Sequence, residues 1–290
     1  MIHFQRLGLD KPASDYRPPR PNRMVVPWRL HPKATRSTQL TASDLTPHMP
    51  HIGNQDRIGA CNSYGTKDAI ATSLSAAQRP VPGYFAALPL YRAVRCLERA
   101  ASTWLGDELP PLTDCGADPD DVLRVAQQFG MQTSAQECDQ EGPSQTLSQY
   151  EDQHVNDEPT LGEFEHDSTF KVVGGFDIVS TGQQRLLDVS NALASGYAVG
   201  ISVAASDDRY QQYDGGILAD PPAGAELDHY NYLAGLDMSS GSPLFVGVNS
   251  WDIPWGIAWG SAPGGCWKSG PAIIQASDRL VVYSVQGVTL

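Results

Sequence analysis

The apolar pattern of this chain changes its period along its length, and that change sets which folds are open to it. Residues 62–78, "NSYGTKDAIATSLSAAQ", carry Tyr64, Ala69, Ile70, Leu74 and Ala77 at helical spacing, which predicts a buried helix. Residues 84–105 repeat that period, with Leu90, Val94 and Leu97 as a core face. "DCGADPDDVLRVAQQFG" then contains a helix start. Asp118 can cap, Pro119 fits the first turn, Asp120 and Asp121 suit the positive end of the helix dipole, and Gly130 ends the run. From residue 170 onward the pattern is mostly short apolar runs bounded by turns: "FKVVGGFDIV", "YAVGISVAA", "ELDHYNYLAGLD", "PLFVGVNSW" and "DRLVVYSVQGV" read as strands. One amphipathic helix, "QQRLLDVSNALASG", lies among them and ends at Gly196. Helices followed by strands predict an α+β protein with two lobes. A chain of 290 residues, 41% hydrophobic, can build the core this requires.

Two segments stand outside that pattern. Residues 1–37 form an extended arm in which six prolines interleave with eight Lys/Arg and two Asp. The arm therefore carries +6, and the remaining domain, residues 38–290, carries −19 of the net −13. An acidic body does not attract nucleic acid through its surface at large. The apolar residues of "MVVPWRL" (Met24, Val25, Val26, Trp28 and Leu30) are expected to dock on a protein surface, and a partner protein or a second copy is favoured. Residues 134–168 hold ten acidic residues and no Lys or Arg, which predicts an exposed acidic insertion. No run of eighteen apolar residues spans a membrane, and the opening residues carry no recognisable secretory signal. The expected location is the cytoplasm or the interior of a macromolecular particle. Five irregularly spaced cysteines (61, 96, 115, 138 and 266) suggest neither a zinc site nor a redox pair, and neither metal nor cofactor is expected.

The chemistry concentrates in four residues. Gln55 precedes Cys61 by six positions across a polar, glycine-bearing turn, and a helix begins after Cys61. A thiol becomes a nucleophile when an imidazole takes its proton, and a helix N-terminus stabilises the thiolate further. Of seven histidines, only His229 sits inside an apolar strand. Asn249 follows another strand, in "FVGVNSWDIPWG", where its amide can accept a ring N–H of His229 and fix the tautomer, with Trp251 and Trp255 covering the bond.

These pieces, spread over residues 45–290, resemble the papain-like cysteine peptidases. Gln55 and Cys61 match the family's Gln-x5-Cys spacing, Asp228-His229 its histidine segment, and Asn249-Ser250-Trp251 with Trp255-Gly256 its Asn-Ser-Trp-x-x-x-Trp-Gly stretch. The resemblance implies a helical N-terminal lobe carrying Cys61, an antiparallel β-rich C-terminal lobe carrying His229 and Asn249, and an active-site cleft between them. It implies hydrolysis of a peptide or protein substrate by Cys61, His229 and Asn249, with Gln55 in the oxyanion hole and Gly116, Asp228, Trp251 and Trp255 lining the substrate side. The alternative is a papain-fold component of a larger assembly. Three departures are visible. Ile58 stands where the family signature has a cysteine, so the disulfide made there is absent; Asn62 replaces the aromatic after the nucleophile; and Cys61 and His229 are 168 positions apart, the acidic insertion accounting for the excess over the usual spacing. A Cys96–Cys115 bond is permitted by sequence alone.

Overall fold

The computed structural model describes residues 25–34, 37–79, 85–102, 109–132, 154–159 and 174–284. The first 24 residues of the arm, most of the acidic stretch 134–168, Cys138 and the last six residues lie outside them. Three helices, α1 (Cys61–Ala76), α2 (Ala87–Ser102) and α3 (Pro119–Gln128), pack on one another. They are followed by β2 (Gly174–Asp177), α4 (Gly182–Ala194), β3 (Val199–Val203), a single helical turn α5 (Asp208–Gln211), and β4 (His229–Asp237). Then come β5 (Leu244–Val248), β6 (Ile257–Trp259), β7 (Ala262–Ser269), α6 (Pro271–Ala276) and β8 (Leu280–Ser284). The strands form one antiparallel sheet in the order β2-β8-β3-β4-β5-β7-β6, with the two-residue β1 (Ser43–Asp44) added on β4. The expected α+β arrangement, helices first and antiparallel sheet second, is the one observed.

α1 lies against β4 and is buried on nearly every side from Cys61 to Leu74. A polar residue in such a helix needs a partner. The Ser73 hydroxyl donates to Ala69 O at 2.7 Å and accepts from Ala198 N at 3.0 Å. Lys67 Nζ pairs with Asp68 at 2.7 Å and sits 4.8 Å from the Tyr64 ring centre. Gly65 faces β4, where a Cβ would stand 2.9 Å from the Tyr230 ring, so its missing side chain sets how closely helix and sheet approach. In α3, Asp118 caps as expected by accepting from Asp120 N at 2.8 Å.

β6 and β7 were not anticipated. Their segment, rich in glycine and holding Pro263, reads as a loop. It forms strands because its glycines leave room for neighbours: a Cβ on Gly265 would meet Ile52 at 2.5 Å, and one on Gly264 would meet Ile253 O at 2.1 Å.

The described part of the arm docks on the chain's own body. Val26 O accepts from Asp177 N at 2.7 Å, and Trp28 is 1% exposed, stacked on His31 at 4.7 Å and edge-on to Tyr197 at 5.8 Å. Val25 and Leu30 remain exposed, at 38% and 70%, and Met24 lies outside the described residues. Of the acidic stretch, residues 154–159 are described. Val155 is buried there, Arg95 donates to Val155 O and to Asn156 Oδ1, and Arg99 pairs with Glu158. Helix α2 thus supplies cations that the stretch itself lacks. No disulfide joins Cys96 and Cys115, so the bond that their sequence permits is not formed.

Candidate active site

Cys61 is the first residue of α1, fully buried and packed with Tyr230. Ala60 before it provides no side-chain cap, so the positive end of the helix is left at the thiol. The loop leading to it is stitched to the loop after β5. Gln55 N donates to Ser250 O at 2.8 Å, Asp252 N to Gly53 O at 3.0 Å, and Ser250 Oγ to Gln55 Oε1 at 2.5 Å. With its oxygen engaged by that hydroxyl, the Gln55 amide presents its nitrogen on the other side, and one N–H goes to Ile58 O at 2.8 Å.

β4 and β5 supply the next two residues. Tyr232 faces Val248 across this pair, and Asn249, the residue after β5, lies within hydrogen-bond reach of His229 and Asn231. His229 Nε2 lies 2.7 Å from Asn249 Oδ1, and both residues are 2% exposed. The Trp251 ring covers His229 at 4.9 Å, and Tyr210 and Trp255 close the cluster around it. Trp251 and Trp255 are themselves buried. Burial holds the Tyr210 hydroxyl well above the usual phenol range, and Asp228 and Cys61 add smaller pushes in the same direction.

The other residues singled out from the sequence sit as follows. The Asp228 carboxylate accepts from Ala205 N at 2.6 Å and Ser206 N at 3.0 Å, tying the turn after β3 to the start of β4. Burial raises its pKa, while those backbone N–H groups oppose the shift. Gly116 is buried with φ 75°, a conformation that favours glycine, and its N–H donates to the Tyr91 hydroxyl at 3.0 Å. Asn62 is fully buried and donates to Ala117 O, so this amide, in the place of an aromatic, fastens α1 to the segment 114–117.

A second fastening was not foreseen. The Asp114 carboxylate accepts from Gly59 N at 2.9 and 3.1 Å and from the Tyr91 hydroxyl at 2.6 Å. Gly59 must be small here, since a Cβ would lie 2.9 Å from Gly116 N and 3.0 Å from Asp114 Oδ1. Tyr91 and Asp114 thus join the loop before Cys61 to the Gly116 segment, beside the position where Ile58 replaces the family's cysteine. The signal in the sequence was only an aspartate next to "CGA", which no local rule distinguishes from a turn. Tyr91→Phe removes one donor from this carboxylate and one acceptor from Gly116. The expected loss is about 1–3 kcal/mol of stability, read as a shift in urea midpoint at constant slope. An unchanged midpoint would mean that the network does not hold the loop.

Comparison with known proteins agrees with this arrangement. The sequence model of the papain family of cysteine proteases matches residues 42–260. Among curated proteins none matches. Solved structures share the fold at low identity. Digestive procathepsin L 3 of Tenebrio molitor larval midgut aligns at TM-score 0.66 and 16% identity, over 97% of this chain and 78% of that one. Xylellain, a cysteine protease from Xylella fastidiosa, aligns at TM-score 0.64 and 17% identity, over 94% and 97%. Bromelain from Ananas comosus, in complex with the E64 inhibitor, aligns at TM-score 0.60 and 13% identity, over 84% and 99%. With three quarters of its length matched by the family's own sequence model and a fold shared with these enzymes, the chain belongs to the papain family of cysteine proteases.

Proposed function

We propose that the chain is a thiol peptidase in which Cys61, His229 and Asn249 form the catalytic triad and Gln55 Nε2 with the Cys61 backbone N–H forms the oxyanion hole. The observation that carries this reading is the 2.7 Å bond between His229 Nε2 and Asn249 Oδ1, buried under Trp251, in a molecule whose α1 begins with a cysteine. With Nε2 committed to Asn249, Nδ1 is the ring nitrogen that exchanges the proton.

In this reading Nδ1 takes the Cys61 proton, and the thiolate attacks the peptide carbonyl. The new S–C bond pushes negative charge onto the carbonyl oxygen, which the two N–H donors receive. The C–N bond then breaks, and His229 returns its proton to the leaving amine. Water, activated by the same imidazole, hydrolyses the thioester and restores the thiol. Asn249 holds the ring in one tautomer and stabilises the imidazolium. The substrate is a peptide or protein, and the Gly116 segment, fastened beside the nucleophile's loop, is the backbone that would run alongside it.

The test is covalent labelling by an E64-type epoxide, read by mass spectrometry at the modified cysteine. Only Cys61 is expected to react at pH 7, and His229→Ala is expected to abolish the reaction. Two of the other thiols are held protonated. Burial, aided by Glu158, raises Cys96 to about 11, and burial, aided by Asp44, raises Cys266 to about 12. A folded chain whose Cys61 ignores the epoxide would instead favour the reading as a non-catalytic component of an assembly.

A further inference from the structure

Asn231 is a polar residue in the middle of an apolar strand, two positions after His229, and it is 1% exposed. Its amide is fully engaged. Oδ1 accepts from Trp267 Nε1 at 3.0 Å and from the Tyr210 hydroxyl, while Nδ2 donates to Tyr230 O at 3.1 Å and to Asn249 Oδ1 at 3.0 Å. We propose that Asn231 is a positioning residue: anchored by Trp267 and Tyr210, it sets the direction of the hydrogen bonds that run from the core to His229. It thereby determines which ring nitrogen carries the proton.

The argument begins at the indole. An indole N–H donates and never accepts, so the Asn231 atom beside Trp267 is the oxygen. The nitrogen must then face Asn249. A nitrogen donor requires an acceptor, so Asn249 turns its oxygen toward Asn231. The Ser250 backbone N–H, 2.8 Å away, reaches the same Asn249 oxygen and acts in the same sense. His229 Nε2, 2.7 Å from that oxygen, must therefore donate. The neutral ring holds its hydrogen on Nε2 and its lone pair on Nδ1, which is the form that can accept a proton from a thiol. The direction is held against an opposing tendency, because Asn249 Nδ2 is buried with no hydrogen-bond partner and would find acceptors elsewhere if the amide were free to turn.

The groups that face Asn231 are Tyr210 from α5, Trp267 from β7, Asn249 after β5 and the Tyr230 carbonyl of its own strand. Only the tyrosine titrates, and burial holds it protonated well beyond neutral pH. Asn231→Asp therefore reverses the direction. The carboxylate keeps an acceptor for Trp267 and Tyr210, but presents a second acceptor to Asn249 and to the Tyr230 carbonyl where a donor was.

The inference rests on the triad proposed above, and its test does not require peptidase activity. In full-length chain carrying Cys61→Ala and 15N-labelled histidine, two-bond nitrogen–proton correlations report the tautomer of His229, with its signals assigned by their loss in His229→Gln. The hydrogen is expected on Nε2. Asn231→Asp in this background is expected to move it to Nδ1 above neutral pH, and acidification is expected to restore it as the introduced carboxyl protonates and donates again. In the Cys61 chain the same substitution should lower kcat at least about 100-fold at pH 8 with KM changed less than about threefold, recovering toward acid pH, since a wrong-tautomer histidine is severely defective. Hydrogen on Nδ1 in the unsubstituted ring overturns the inference even if the Asp variant does not fold. So does a tautomer and a pH profile that Asn231→Asp leaves unmoved. Failure of Cys61 labelling, by contrast, would sink the peptidase reading and leave the tautomer result standing.

Discussion

Cys61→Ser is expected to lower peptide hydrolysis by at least about 10⁴-fold while leaving KM and the thermal midpoint nearly unchanged. The hydroxyl occupies the space of the thiol but has no thiolate to offer at neutral pH. A helix N-terminus and an imidazole that suit a sulfur anion do little for an alcohol of much higher pKa. His229→Ala should lose a similar factor, and the double substitution should be hardly worse than either alone, because nucleophile and base act as a unit. The measurement is kcat and KM on a fluorogenic peptide, with circular dichroism as the fold control. A Cys61→Ser chain retaining more than about a tenth of the original rate would remove Cys61 from the chemistry.

The second large effect concerns stability. Arg279 is 1% exposed and pairs with Asp177 of β2 and Asp120 of α3, so one guanidinium ties α3 to the sheet. Arg279→Ala leaves two carboxylates facing each other across a largely buried space. The expected loss is about 3–5 kcal/mol, because removing one partner of a buried pair strands the other charge. Added salt should rescue little of it, since a site this enclosed is poorly screened. Equilibrium unfolding in urea measures both. A loss under about 1 kcal/mol would show that the pair is dispensable.

Much of this molecule can be read from its sequence, and the reason is local. α1 starts at Cys61, one residue before the helical period of residues 62–78, because a helix and its first residue share one pattern. Asp118 caps α3 and Gly196 follows α4 with φ 86°, since caps and terminators are decided by the residues that form them. Leu90 and Val94 of α2 are buried, as spacing requires. Asn249 meets His229, the pair to which the two strand motifs point.

What escaped notice depends on register. Asn231 matters because the chain leaving β5 brings the Asn249 amide to it and β7 brings Trp267 to the same point. Nothing within ten residues of Asn231 announces either neighbour, although a polar residue in step with His229 along an apolar strand was a visible anomaly. Asp114 likewise gains its role only when Gly59, 55 positions earlier, is folded against it. β7 was hidden by the glycines that its neighbours require.

The seat of the arm has one more consequence. Among the described residues β2 is the outermost strand of its side of the sheet, and such a strand displays unpaired amides that can recruit a strand from another molecule. Val26 takes up the Asp177 N–H, Pro27 forms a parallel bridge beside it, and proline has no amide hydrogen to extend the ladder further. Trp28 then pins this short segment in place. The opposite margin, β6, is only three residues long. Among the described residues, the sheet is thus bounded on one side by a proline-tipped plug of its own chain and on the other by a strand too short to pair far, and both disfavour edge-to-edge aggregation.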